Sequence, residues 1–198
     1  MKKQLCLTAD IGGTNTRVAL FDNEKLLENS CVTYSNNEYD SFENIIKNYL
    51  DLVSESSVRF AGIAAAGPIQ EKSAKMTNLS WSLTERSIAS ITGAEQVGII
   101  NDLQAQGYGL PSLDKSDLEP ITVGSQSANS NATRLVCGIG TGFNAAPVFN
   151  VGHKIFVPPS EAGHSQLSLS NKSYQPVFAK IGSVGSFVSV EDLLSAVS

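Results

Sequence analysis

Thr8-Ala9-Asp10-Ile11-Gly12-Gly13-Thr14-Asn15-Thr16-Arg17 decides how the rest of this chain is read. An apolar run, Leu5-Cys6-Leu7, leads into a carboxylate, passes through two glycines and a threonine, and re-enters an apolar run from Val18 to Phe21. The pattern predicts strand, tight glycine turn, strand. Two successive positions without a Cβ let backbone N–H groups come close to an anion such as phosphate. Thr14 and Asn15 add side-chain donors, and Asp10 stands where a carboxylate could hold magnesium directly or through water. An ordinary hairpin closed by Gly-Gly fits the same residues, so this stretch alone does not separate the two readings.

A second copy tips the balance. Leu135-Val136-Cys137-Gly138-Ile139-Gly140-Thr141-Gly142-Phe143-Asn144-Ala145-Ala146 repeats the plan of apolar strand, glycine turn with a threonine, apolar strand. Aligning Gly13-Thr14 with Gly140-Thr141 sets Asp10 against Cys137, so only the first copy carries the acid. Two such hairpins suggest related half-structures facing one another across a cleft, each offering a turn to the phosphate tail of one nucleotide.

Composition narrows the classes. The length of 198 residues suits one large domain or two modest ones. A net charge of -5 and the lack of a basic stripe argue against a nucleic-acid partner. No apolar run reaches membrane-spanning length, and Asp10 interrupts what would be the hydrophobic region of a signal peptide. Cys6, Cys31 and Cys137 are far apart, which encodes neither a disulfide framework nor a zinc site. Cys6 and Cys137, inside apolar strands, are expected to be small core residues. The expectation is a cytoplasmic protein.

Beyond the first hairpin, Leu26 to Tyr34 reads as a weaker strand and Asn36 to Asp40 as a polar loop. Phe42, Ile45, Ile46, Tyr49, Leu50 and Val53 recur at helical spacing behind Ser41 as N-cap. Phe60 to Ala66 suits a buried strand ended by Gly67-Pro68. A short helix is expected over Thr84 to Ile91, a buried strand over Val97 to Ile100, and a helix over Leu103 to Leu110. Strands alternating with helices define an α/β layout. The Pro-containing polar stretch from Leu110 to Glu119 marks a boundary, giving domains at 1–112 and 113–198. Gly124 to Thr133 reads as a surface loop, and Val190 to Ala196 as the start of a helix.

Asn101-Asp102 follows a strand and opens a helix. Ligands of α/β sheets collect outside the carboxyl ends of strands, and a helix N-terminus favours an ionised carboxylate. Such an aspartate can accept the proton of an alcohol attacking a phosphoryl group, although simple helix capping explains the same pair. Glu161-Ala162-Gly163-His164 and Glu191 are further polar groups. Asn101, Asp102, Glu161, His164 and Glu191 together would suit a sugar, whose hydroxyls pair with carboxylates and imidazole. His153 and His164 form no metal-ligand pattern.

Seven motifs carry a family resemblance: Ala-Asp-Ile-Gly-Gly-Thr-Asn-Thr-Arg (9–17), Ala-Gly-Pro-Ile (66–69), Met-Thr-Asn-Leu-Ser-Trp (76–81), Ile-Asn-Asp-Leu (100–103), Gly-Ile-Gly-Thr-Gly (138–142), Glu-Ala-Gly-His (161–164) and Val-Glu-Asp-Leu-Leu-Ser (190–195). In these the chain resembles the bacterial glucokinases of the hexokinase/actin-like ATPase superfamily, nearly end to end. The resemblance implies an actin-like ATPase (ribonuclease-H-like) fold of two α/β domains, the second incomplete. It implies ATP-dependent phosphorylation of glucose at the 6-hydroxyl, with ATP and Mg2+ as cofactors. Ala9, Asp10, Ile11, Gly12, Gly13 and Thr14, with Thr141 and Gly142, match the phosphate loops, and Asp10 the magnesium position, through water. Asp102 matches the catalytic base; Asn101, Asp102, Glu161, His164 and Glu191 match the glucose-holding residues. Family members often form dimers, which leaves a homodimer open.

This chain also departs from the family. Family members are longer, and their C-terminal part supplies the adenosine-binding segment; this sequence ends in the helix expected after Glu191. Asn144 and Ala145 stand where relatives usually keep Gly-Val, a change expected to be tolerated. No cysteine follows Cys137, so the metal site of the zinc-containing cousins is not expected. The alternative reading is a non-catalytic sugar-binding or sensing relative, or an inactive fragment. A cytoskeletal or chaperone ATPase of the same fold would have no use for a Glu-x-Gly-His loop.

Overall fold

A computed structural model describes residues 4–55, 57–76, 79–122, 132–139, 143–165 and Ser189. The glycine turn does join two strands. β1 (Leu5–Ile11) and β2 (Asn15–Asp22) pair antiparallel with Ile11 opposite Thr16 and Asp10 opposite Arg17. The period of two along β1 buries Leu5, Leu7, Ala9 and Ile11 on one face and leaves Asp10 exposed on the other. The strand expected over Leu26 to Tyr34 is two short ones, β3 (Lys25–Leu26) and β4 (Val32–Ser35), both paired with β2. Between them Asn29 adopts φ 59°, a left-handed conformation that breaks a strand.

Helix α1 (Phe42–Leu52) begins where expected. The Ser41 hydroxyl accepts from the Asn44 N–H at 3.3 Å, and the helix buries Phe42, Ile45, Ile46, Tyr49 and Leu50. β5 (Phe60–Ala65) follows. Next come β6 (Ile69–Gln70), β7 (Ser73–Lys75) and β8 (Ser82–Thr84), a small antiparallel sheet that the sequence pattern did not announce. α2 (Glu85–Thr92) starts with a capping box between Thr84 and Ser87 and stops at Gly93. β9 (Gln96–Asn101) completes the main sheet, whose order is β3-β2-β1-β5-β9 with β4 also on β2. β1, β5 and β9 are parallel neighbours.

One face of this sheet, carrying Leu7, Ile11, Val18, Ile63 and Ile99, shares a core with Phe42, Ile45 and Tyr49 of α1, Ile88 of α2, and Trp81 and Leu83. β5 and β9 are therefore not buried throughout, as expected from sequence. Both alternate, with Gly62 and Gly98 exposed on the opposite face, where a Cβ on either would meet nothing within 4 Å.

The chain divides into two compact units, Met1–Asp102 and Leu103–Ser198. Helix α3 (Asp102–Gly109) leaves the end of β9. In the second unit, β10 (Arg134–Ile139), β11 (Phe143–Val151) and β12 (Lys154–Phe156) form an antiparallel sheet. Leu103 joins Val136, Ala146, Val148 and Val157 in its core, and the Gln104 amide donates to the Val157 carbonyl at 2.8 Å. A Cβ on Gly107 would lie 2.9 Å from both Val157 methyl carbons, so only glycine admits this close approach of helix and strand. These contacts place α3, beyond its first residue, with the second unit.

Cys137 corrects another expectation: it is exposed, because of the β10 side chains only Val136 is buried. Cys6 is half-buried, and its thiol pKa is raised by that burial. Most of the loop expected at Gly124 to Thr133, and the helix expected at Val190 to Ala196, lie outside the described residues.

Candidate functional site

The carboxyl edge of three adjacent parallel strands gathers the chemical residues of the first unit. The register aligns Ile11 of β1, Ala65 of β5 and Asn101 of β9 across the sheet. The glycine turn, the Gly67-Pro68 turn and Asn101-Asp102 therefore emerge side by side. Two strand spacings put the outer pair of backbones on the order of 10 Å apart. This is the edge at which α/β sheets bind ligands.

The turn itself is short. Gly12 N–H donates to the Asn15 carbonyl at 3.0 Å, and Gly13 and Thr14 are exposed. The positive-φ glycines among the described residues are Gly67, Gly93 and Gly152. Gly12 is thus favoured by space rather than by a left-handed backbone, since a Cβ there would sit 3.3 Å from the Asn15 oxygen. Asp10 presents an exposed carboxylate one residue from the end of β1. Ala9 and Ile11 face the core in a strand paired on both sides, and the Ile11 carbonyl accepts from the Ala66 N–H at 3.1 Å.

Asn101 is buried, and its amide donates to the Gly67 carbonyl at 3.3 Å, which ties the end of β9 to the turn after β5. Asp102 is half-buried in the first turn of α3, where free N–H groups favour a negative charge.

In the second unit, Glu161 and His164 are exposed on a loop whose last part is a 3-10 turn at Ala162–His164, closed by His164 N–H to the Glu161 carbonyl at 3.1 Å. Asn144 organises that loop. Its amide donates to the Ser160 carbonyl at 2.6 Å, and its Oδ1 accepts from the N–H of Ala162 at 2.9 Å and of Ala145 at 2.8 Å. Sequence reasoning treated Asn144 as a tolerated departure. The only signal was its place in a hairpin, and nothing local pointed to a partner some sixteen residues on. Thr141, Gly142 and Glu191 lie outside the described residues. Among the described residues no group of three or more His, Cys, Asp or Glu could hold a metal ion, and no helix is long and apolar enough to cross a membrane.

The glycine turn and the helix-opening aspartate emerge from β1 and β9, which flank β5, and solved sugar kinases of the actin-like ATPase fold align with this chain. A glucokinase from an Antarctic psychrotroph superposes with a TM-score of 0.80 at 30% identity, covering 97% of this chain and 61% of that one. The glucokinase of Balamuthia mandrillaris, solved in complex with glucose, gives 0.71 at 23% identity over 98% of this chain and 60% of that one. A ROK family glucokinase from Streptomyces griseus, in complex with glucose and AMPPNP, gives 0.57 at 20% identity over 83% of this chain and 51% of that one. The last two speak for the fold alone.

The Glucokinase family model matches residues 7–197, and the chain belongs to that family. The glucokinase of Psychromonas ingrahamii is 32% identical over 195 residues, which is 98% of this chain and 59% of that protein. The chain thus spans about three-fifths of the length of this relative.

Proposed function

We propose that this protein is a glucokinase, which transfers the γ-phosphoryl group of ATP to the 6-hydroxyl of glucose and yields glucose 6-phosphate and ADP. The observation that carries the reading is the pairing, at one sheet edge, of the exposed Gly13-Thr14 turn with Asp102, in a chain whose family match runs over residues 7–197. Gly13 and Thr14 offer backbone N–H groups to phosphate oxygens, with Gly12 closing the turn, Ala9 and Ile11 anchoring the strand that carries it, and Thr141 and Gly142 as the second loop. Asp102 accepts the proton of the attacking hydroxyl. Asn101, Asp102, Glu161, His164 and Glu191 hold the sugar's hydroxyls.

Magnesium fits the first unit: Asp10 is a single exposed carboxylate beside the phosphate turn, and Mg2+ keeps most of its waters while binding one or two carboxylates and phosphate. When bound, the ion neutralises charge on the phosphate oxygens. The three free cysteines suit the reducing cytoplasm, where we place the enzyme.

Calorimetric titration tests the reading. A kinase gives heat with glucose and with ATP–magnesium. A sugar-sensing relative gives heat with glucose only, which would overturn the proposal.

A further inference from the structure

Asn36 opens the stretch expected to be a polar loop, yet it is 2% exposed. Each of its polar groups is engaged. Its side-chain amide donates to the Gly12 carbonyl at 2.9 Å, and its Oδ1 accepts from the buried Thr16 hydroxyl at 2.7 Å. Its backbone N–H donates to the Thr14 carbonyl at 2.8 Å, and its own carbonyl accepts from Tyr39 N–H at 3.3 Å. One residue thus grips two of the three carbonyls of the first glycine turn from the inner side.

The consequence follows from peptide geometry. In a planar trans peptide the C=O and the N–H point opposite ways. Fixing the Gly12 carbonyl toward Asn36 therefore turns the Gly13 N–H outward, and fixing the Thr14 carbonyl does the same for the Asn15 N–H. Residues 13–15 are the exposed side of the turn. Glycine makes such a turn adaptable, and an adaptable turn pays ordering entropy when it binds. A buried clamp removes that cost in advance.

We propose that Asn36 is a positioning residue for phosphate binding: it pre-orients the N–H groups of Gly13 and Asn15 on the exposed side of the turn and acts on the nucleotide only through them. What those N–H groups meet rests on the kinase reading above; that Asn36 holds the turn does not. Thr16 serves it in turn, by fixing which end of the side-chain amide faces Gly12.

Three variants of the full chain test this: Asn36→Ala, Asn36→Asp and, as a control for general loosening of the core, Ile88→Val, a buried residue of α2. Amide nitrogen relaxation gives order parameters for Gly13 and Asn15. These are expected near the rigid value of about 0.85 in the unaltered chain and in Ile88→Val, and below about 0.6 in Asn36→Ala. Asn36→Asp, which keeps an acceptor for Thr16 but sets a carboxylate against the Gly12 carbonyl, is expected to match Asn36→Ala. The dissociation constant for ATP–magnesium should rise about five- to ten-fold, the equivalent of one hydrogen bond, with glucose affinity unchanged. Order parameters at 13 and 15 that are the same in Asn36→Ala as in the unaltered chain would overturn the proposal. Absence of any ATP–magnesium binding in the unaltered chain would instead overturn the kinase reading, with the relaxation data still deciding the role of Asn36.

Discussion

Removing one oxygen from Tyr34 is predicted to stabilise the first unit. Tyr34 is 7% exposed, its ring meets Tyr39 edge-on at 5.5 Å, and its hydroxyl is buried with no hydrogen-bond partner among the described residues. Burying an unpaired hydroxyl costs about 1–3 kcal/mol, whereas the unfolded chain hydrates it freely. Tyr34→Phe keeps the ring and its edge contact and removes that cost, a gain of about 1 kcal/mol. Tyr49 supplies the contrast. Its hydroxyl donates to the Ser30 carbonyl at 2.6 Å, so Tyr49→Phe leaves a buried acceptor unmet and is expected to cost about 1–2 kcal/mol. Urea titration followed by the fluorescence of Trp81, the single tryptophan and buried in this core, reads both. With a slope of about 1–3 kcal/mol per molar, the midpoints should move by on the order of 0.5 M in opposite directions. A fall in midpoint for Tyr34→Phe as large as that for Tyr49→Phe would refute the reasoning.

Alkaline pH should loosen the same core. Burial is the main cause that pushes the Tyr49 pKa from 10.0 to about 12. Between those values the unfolded chain loses a proton that the folded one keeps, so the Tyr49 contribution to stability is fully present below pH 10 and is lost as pH rises toward about 12. Denaturation midpoints across that window check it, with a shallower fall in Tyr49→Phe. In the second unit, Gly107→Ala gains about 1 kcal/mol of helix propensity but drives a methyl into Val157 and Val148. Overpacking costs about 1–3 kcal/mol, so a net loss of about 1 kcal/mol is expected in thermal unfolding. Asn144→Gly removes the side chain that holds the 160–162 loop and is expected to weaken glucose binding about five-fold, read by calorimetry.

Both glycine-turn strand pairs, α1 with its Ser41 cap, and the helix α2 were legible in the sequence, because each rests on local signals: alternation, helical spacing or a capping hydroxyl. What escaped depends on partners distant in the chain. β6 to β8 are two or three residues each, too short to show a period. The burial of Asn36 is visible only once β4 lies beside β2. Cys137 looked like a core residue because its strand is apolar, but apolar strands also present a second face to solvent. At the candidate site, the spacing of Asp10, Asn101 and Asp102 said nothing of their nearness; the parallel register of β1, β5 and β9 supplies it.

Phosphoryl transfer from ATP–magnesium to glucose, compared between a protein carrying this sequence and its Asp102→Asn variant, bears hardest on the assignment of the helix-opening carboxylate as the proton acceptor. A general base of this kind is worth about 100- to 10,000-fold in rate. We expect the asparagine variant to lose that factor while retaining nucleotide affinity, and equal rates in the two proteins would contradict the account.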